Sequence, residues 1–228
     1  MAITTVFLES GTFSVSASKN IDVSCWGAGG DGNANGTGGS GAAFASSSIT
    51  VESGSYTVNV GLSNYDGLGN GGVSNFISAS VILVQAAGGR SDGTLGDQTS
   101  YITGSLKRSG GRGGLFSANY GNYGAGGGGS SAGPHDHGQD GQNGADSGAS
   151  FSQYGHAFTG SVGASGHIAE GGDGGNGSYY FAGTDSRLVA ASNGQVPGGG
   201  GGGGYTGENN AAVKTEGIGG HGMVTIKW

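Results

Sequence analysis

The stretch IDVSCWGAGGDG, Ile21 to Gly32, changes its pattern halfway along. Up to Trp26 it alternates, with Ile21, Val23 and Cys25 on one face and Asp22, Ser24 and Trp26 on the other. A period of two marks a half-buried β-strand. From Gly27 the alternation ends and glycine takes over. Both patterns recur along the chain, which predicts strands separated by tracts of glycine.

The same period marks further strands. In YTVNV, Tyr56, Val58 and Val60 share a face opposite Thr57 and Asn59. ASVILVQA, Ala79 to Ala86, is apolar on both faces, which predicts a central strand covered on each side. Val6 to Leu8, Phe13 to Val15 and Ile49 to Val51 are shorter candidates, set apart by the turn signals ESGT and ESGS. GMVTIKW closes the chain with Val224, Ile226 and Trp228 on one face, and most simply pairs back into the same sheet.

Glycine supplies 58 of 228 residues, about a quarter, against a usual share near 7%. Hydrophobic residues make up only 33%, too few large side chains for a conventional core of this length. Two prolines and no sustained G-X-Y register exclude collagen. Glycine recurs every third residue at Gly138, Gly141 and Gly144; Gly160, Gly163 and Gly166; Gly171, Gly174 and Gly177; and Gly198, Gly201, Gly204 and Gly207. Three is the period of the polyproline-II helix, which has no internal hydrogen bonds and must find partners in neighbouring segments or water. Only glycine lets such backbones approach closely. Each ordered glycine costs roughly 0.5 to 1 kcal/mol relative to alanine, which inter-helix hydrogen bonds netting about 1 kcal/mol each would offset. The expected fold is all-β with an irregular glycine-rich part. A small β-sandwich-like subdomain covers residues 1–107, completed by a terminal strand at 222–228, and a packed bundle of polyglycine-II helices covers 108–221.

Several function classes fall away. A net charge of −7 argues against nucleic acid and anionic lipid as partners. The longest apolar stretch, SVILVQAA from Ser80 to Ala87, is far shorter than a membrane span, and MAITTVFLES lacks the basic start of a signal peptide. Gly27, Gly29 and Gly32 satisfy G-x-G-x-x-G, with Glu52 about 20 residues on. The adjoining residues, NANGTGGSG, have no helical period, so no helix N-terminus is expected to hold a pyrophosphate. Cys25, the single cysteine, reads as a small buried hydrophobe. No nucleophile–base pair or P-loop is recognisable, so the chain is expected not to be an enzyme and to carry no cofactor.

Three groups of residues remain as candidates. KRSGGRGG gathers Lys107, Arg108 and Arg112, either a solvated loop or a contact for an anionic receptor. PHDHG places His135 and His137 on one face of an extended segment around Asp136. It is either a polar recognition loop or half of an iron or zinc site completed by distant loops or symmetry copies. Aromatic residues collect between the glycine tracts: Tyr120 and Tyr123; Tyr154, His156 and Phe158; Tyr179, Tyr180 and Phe181. With Ser, Gly and Asn they make the composition of a paratope. The alternative is that these rings plug the ends of the bundle.

In order along the chain, IDVSCWGAGGDG, GTGGSGAAFASSSITVESGSYTVNVG, ILVQAAGG, GGGGGGGY and GHGMVTIKW resemble the glycine-rich domain of tail-fibre and tail-tip proteins of tailed bacteriophages. The resemblance implies an adhesin in the distal tail or fibre of a virion. Loops between polyglycine-II helices would there meet a bacterial surface protein or glycan, alongside other virion fibre proteins and with a homotrimer possible. The H-x-H pair is similar to those of some trimeric fibre tips, where iron lies on the threefold axis. The alternative is a non-adhesive structural virion component such as a fibre, decoration or capping protein.

Overall fold

The computed structural model describes residues 2–64, 67–95, 98, 102–119, 122–144, 171–180, 188–204 and 216–228. The molecule is all-β, with no α-helix among these residues. Its strands are β1 (Thr4–Phe7), β2 (Gly11–Val15), β3 (Lys19–Trp26), β4 (Phe44–Val51), β5 (Gly54–Asn59), β6 (Ser74–Ser78) and β7 (Val81–Ala86). They continue with β8 (Leu106–Arg108), β9 (Ser117–Asn119), β10 (Asn122–Gly124), β11 (Tyr179–Tyr180), β12 (Leu188–Val189) and β13 (Met223–Lys227). Two antiparallel sheets, ordered β1-β13-β3-β4-β8 and β2-β5-β6-β7, enclose the main core. A smaller sheet has the order β12-β11-β10-β9.

Alternation in β3 sets the inner face. Ile21, Val23 and Cys25 are buried there, and Val224 and Ile226 of β13 lie opposite Cys25 and Val23. The second sheet contributes Phe13, Tyr56, Val58, Phe76 and Val84. Phe76 stacks on Tyr56 at 5.2 Å, and Phe13 meets Trp228 edge-on at 5.2 Å. β13 lies between β1 and β3, so the terminal strand returns to the first sheet as its pattern predicts.

Two strand readings need correction. β7 is not central: it lies at the edge of its sheet, with Val84 and Ala86 buried and Val81 and Ile82 largely exposed. Trp26, expected on the polar face, is buried because Phe44 lies 4.8 Å from it and Ala132 packs on the pair.

The sheet pairings do not stop where the strands stop. Beyond Trp26↔Phe44, the N–H groups of Gly27, Gly30 and Asn33 donate to the carbonyls of Ala43, Ser40 and Thr37. Beyond Trp26↔Met223, Gly29 and Gly32 donate to Gly220 and Gly217. Ala28 and Asp31 donate to Gly72 and Gly69. Segment 27–33 therefore addresses three neighbours in rotation, every third residue returning to the same one, where a strand would address two. Likewise β4–β8 extends through Gly41 to Gly111 and Gly38 to Gly114.

Segment 198–204 lies at the centre of this array. Gly200 and Gly203 donate to Gly129 and Gly126, Gly201 and Gly204 to Gly30 and Asn33, and Gly199 and Gly202 to Gln195 and Ser192. Its carbonyls accept from Gly39 and Ala42, from Gly175 and Ser178, and from Gly217 and Gly220. Six segments thus surround one run of seven buried glycines. A Cβ at Gly200 or Gly201 would overlap the carbonyl of Gly39 or Gly217, so at these positions glycine is required by proximity alone.

Candidate functional site

At the end of the array remote from the two large sheets, glycine pairing turns back into strand pairing. Ser131, Gly128 and Ala125 donate to Gly172, Gly175 and Ser178, and the same two segments then pair as β10 and β11. Tyr123 lies directly opposite Tyr180, and Gly124 opposite Tyr179. β9 and β12 flank them, pairing Tyr123 with Ala118 and Tyr179 with Val189. Two aromatic stretches far apart in the chain therefore share one small sheet. Tyr120, Tyr154, His156, Phe158 and Phe181 lie outside the described residues.

The histidine loop lies at the opposite end of the array, next to Ala132 on the Trp26–Phe44 pair. Gly133 donates to the Asp136 carbonyl at 3.0 Å, closing a turn, and His135, Asp136 and His137 are exposed. His137 Nδ1 accepts the Ser109 amide at 3.1 Å, and the Ser109 hydroxyl lies 3.0 Å from the same nitrogen. The pattern repeats three residues on, where Asp140 Oδ1 accepts the Arg112 amide at 2.7 Å, and again where Asn143 Oδ1 accepts that of Leu115 at 2.8 Å. Between these bonds Gly138, Gly141 and Gly144 donate to the carbonyls of Ser109, Arg112 and Leu115. Three side chains of different chemistry thus do one task, accepting amides at the rim of the array.

Short acceptors serve other array amides in the same way, at the surface and inside. Ser131 Oγ accepts from Gly172, Ser192 Oγ from Asn176, Asn193 Oδ1 from Ile218 and Asp31 Oδ1 from Gly219. His221 Nδ1 accepts from Ser63 at 3.2 Å, and His156 and His167 are outside the described residues. No group of three or more His, Cys, Asp or Glu placed to hold a metal occurs among the described residues.

The basic stretch is divided. Lys107 is exposed, while Arg108 lies opposite Phe44 with its Nε buried and unpaired. Arg112 stands on a cleft of about 600 Å³ between segments 92–95, 112–115 and 140–143. Asp92 closes one side, 3.3 Å from Arg90. Partial burial raises its carboxyl pKa, but hydrogen bonds from the Thr94 hydroxyl and amide, with the Arg90 charge, prevail and hold it below the ordinary value. Sequence reasoning passed over Asp140 and Asn143. Their signal was the spacing H-x-x-D-x-x-N, each residue directly preceding a glycine of the period-three set.

Elsewhere the chemistry is quiet. The amides of Gly27, Gly29 and Gly32 are spent on the carbonyls of Ala43, Gly220 and Gly217, leaving no cradle for a pyrophosphate at that motif. Burial pushes the Cys25 thiol far up. No helix among the described residues is long and apolar enough to cross a membrane.

The family model described as a glycine-rich domain matches residues 6–228, and the chain belongs to that family. No curated protein matches it.

Proposed function

We propose, starting from that membership, that the glycine segments are polyglycine-II helices forming the scaffold of a bacteriophage tail-fibre or tail-tip adhesin. Rotation of hydrogen bonding through three neighbours supports the helix assignment, since three residues per turn is the period of that conformation. The adhesive surface is the aromatic-rich end. The observation that carries this reading is the convergence of β10 and β11, which sets Tyr123 opposite Tyr180 at the tip of an array almost without side chains of its own. Tyr offers large contact area at low entropic cost, which suits recognition of a bacterial surface protein or glycan without covalent chemistry. The protein would then sit at the distal end of a virion, outside the cell, against other fibre proteins.

The second reading, a structural fibre or capping component, draws on the same ladder, because a backbone locked on both sides also suits rings used as plugs. Labelled protein presented to a panel of bacterial strains separates the two. Adhesion predicts labelling of some strains and about thirtyfold weaker binding for Tyr123→Ala or Tyr180→Ala, with melting temperature nearly unchanged. Early melting of both variants together with no labelled strain replaces the adhesin with the structural component.

A further inference from the structure

The cleft beside Arg112 is built unlike the rest of the rim, because its polar groups are held in place yet only half used. Asp140 and Asn143 each spend one oxygen on an array amide, at 2.7 and 2.8 Å, and this fixes their orientation. Asp140 Oδ2, the Asn143 amide nitrogen and the Arg112 guanidinium make no hydrogen bond or ion pair within the described structure. Leu115, 59% exposed, and Leu95 supply apolar surface on the same cleft. Asp92 takes no part, since Arg90 and Thr94 occupy both of its oxygens.

We propose that this cleft binds a neutral pyranose saccharide. A vicinal diol offers donors and acceptors side by side. Asp140 Oδ2 accepts from one hydroxyl of the diol and the Arg112 guanidinium donates to its neighbour, while Asn143, one repeat or about 9 Å along the segment, donates to a hydroxyl of the adjoining ring. The C–H face of the ring covers Leu115 and Leu95. The volume of the cleft, about 600 Å³, lies within the range of small-molecule sites and admits a disaccharide. Charge selects against an acidic sugar. Arg90 balances Asp92, Arg112 and Asp140 bring one charge of each sign to the cleft wall without pairing, and the chain as a whole carries −7. For a carboxylate or phosphate on the ligand, repulsion by Asp140 offsets attraction by Arg112, so the cleft offers it no net positive charge. This site is independent of the aromatic end: a filled cleft is compatible with no attachment to cells, and attachment through Tyr123 and Tyr180 is compatible with a cleft that binds nothing.

The test follows the leucine methyl resonances of the purified full chain by NMR while maltose, lactose, mannobiose and methyl glucuronide are titrated in. The expected result is that at least one neutral disaccharide shifts the Leu115 methyls and that methyl glucuronide binds more weakly. Asp140→Asn and Arg112→Gln should each weaken binding about tenfold. Asp140→Asn keeps the oxygen that accepts the Arg112 amide, as Asn143 does one repeat later, so its melting temperature should match the parent's. Arg112→Gln leaves every array hydrogen bond in place, because Arg112 joins the array through its backbone. The proposal is overturned if none of the neutral disaccharides moves the Leu115 methyls, if methyl glucuronide binds more tightly than they do, or if both variants bind like the parent.

Discussion

His137 and Ser109 are joined through one imidazole nitrogen, which both the amide and the hydroxyl of Ser109 meet. The Ser109 amide donates to His137 Nδ1 at 3.1 Å, and Gly138, the next residue along, donates to the Ser109 carbonyl at 2.9 Å. The imidazole thereby does for Ser109 what Asp140 and Asn143 do for Arg112 and Leu115.

If acceptance is the role of that imidazole, His137→Asn should leave stability close to the parent's. His137→Leu removes the acceptor. An amide left without a partner costs about 1 to 3 kcal/mol if water cannot reach it, and less at an exposed rim. In a chain of this size each lost kcal/mol lowers the melting temperature by about 2 to 4 °C. Calorimetry on both variants checks the ordering, which fails if Asn and Leu melt together.

Gly174 and Gly201 test the array from within. A Cβ at either would overlap the carbonyl of Gly128 or Gly217, whereas at Gly11 it would meet only Phe7 at an ordinary 3.5 Å. Gly174→Ala and Gly201→Ala should each cost more than about 3 kcal/mol, and Gly11→Ala less than about 1 kcal/mol. Urea melts of the three variants measure the contrast.

The lowered pKa of Asp92 gives its contribution a defined pH window. A carboxyl depressed on folding contributes stability above its unfolded value, near 3.9, and loses it as pH falls through the folded value. Asp92→Asn should therefore be less stable than the parent at pH 6, with the gap closing in more acid buffer. Paired melts across that range detect it, and a gap that widens on acidification contradicts the assignment.

Cys25 should be unreactive in the folded chain. Its thiol is fully buried between the sheets and burial pushes its pKa up, so thiolate is scarce at neutral pH. A chromogenic disulfide reagent should titrate no thiol in native protein and one per chain in denaturant.

Legibility followed the side chains. In β3, burial of Ile21, Val23 and Cys25 was readable because alternating residues face one core. Likewise, Gly138, Gly141 and Gly144 were readable as a set, and their amides do address one segment. Which segments adjoin was not readable, because glycine has no side chain to distinguish one neighbour from another. Partners are chosen instead by the strands that lead in, through pairs such as Trp26↔Phe44 and Trp26↔Met223. Trp26 was misplaced for a related reason: Ala132, which covers it, arrives from more than a hundred residues away. The meeting of Tyr123 with Tyr180 and the cleft at Arg112 are likewise products of long-range pairing that no local period announces.

The position of segment 198–204 has a kinetic consequence. Its partners come from residues 30, 39, 129, 175, 195 and 217, so nearly the whole chain must be in place before the central run can be seated. Loop-closure entropy is spent before those contacts return anything, the condition that slows folding in proteins dominated by non-local pairing. A solenoid grows repeat by repeat on its nearest neighbour. Here the middle is completed late, and assembly is expected to be slow and all-or-none.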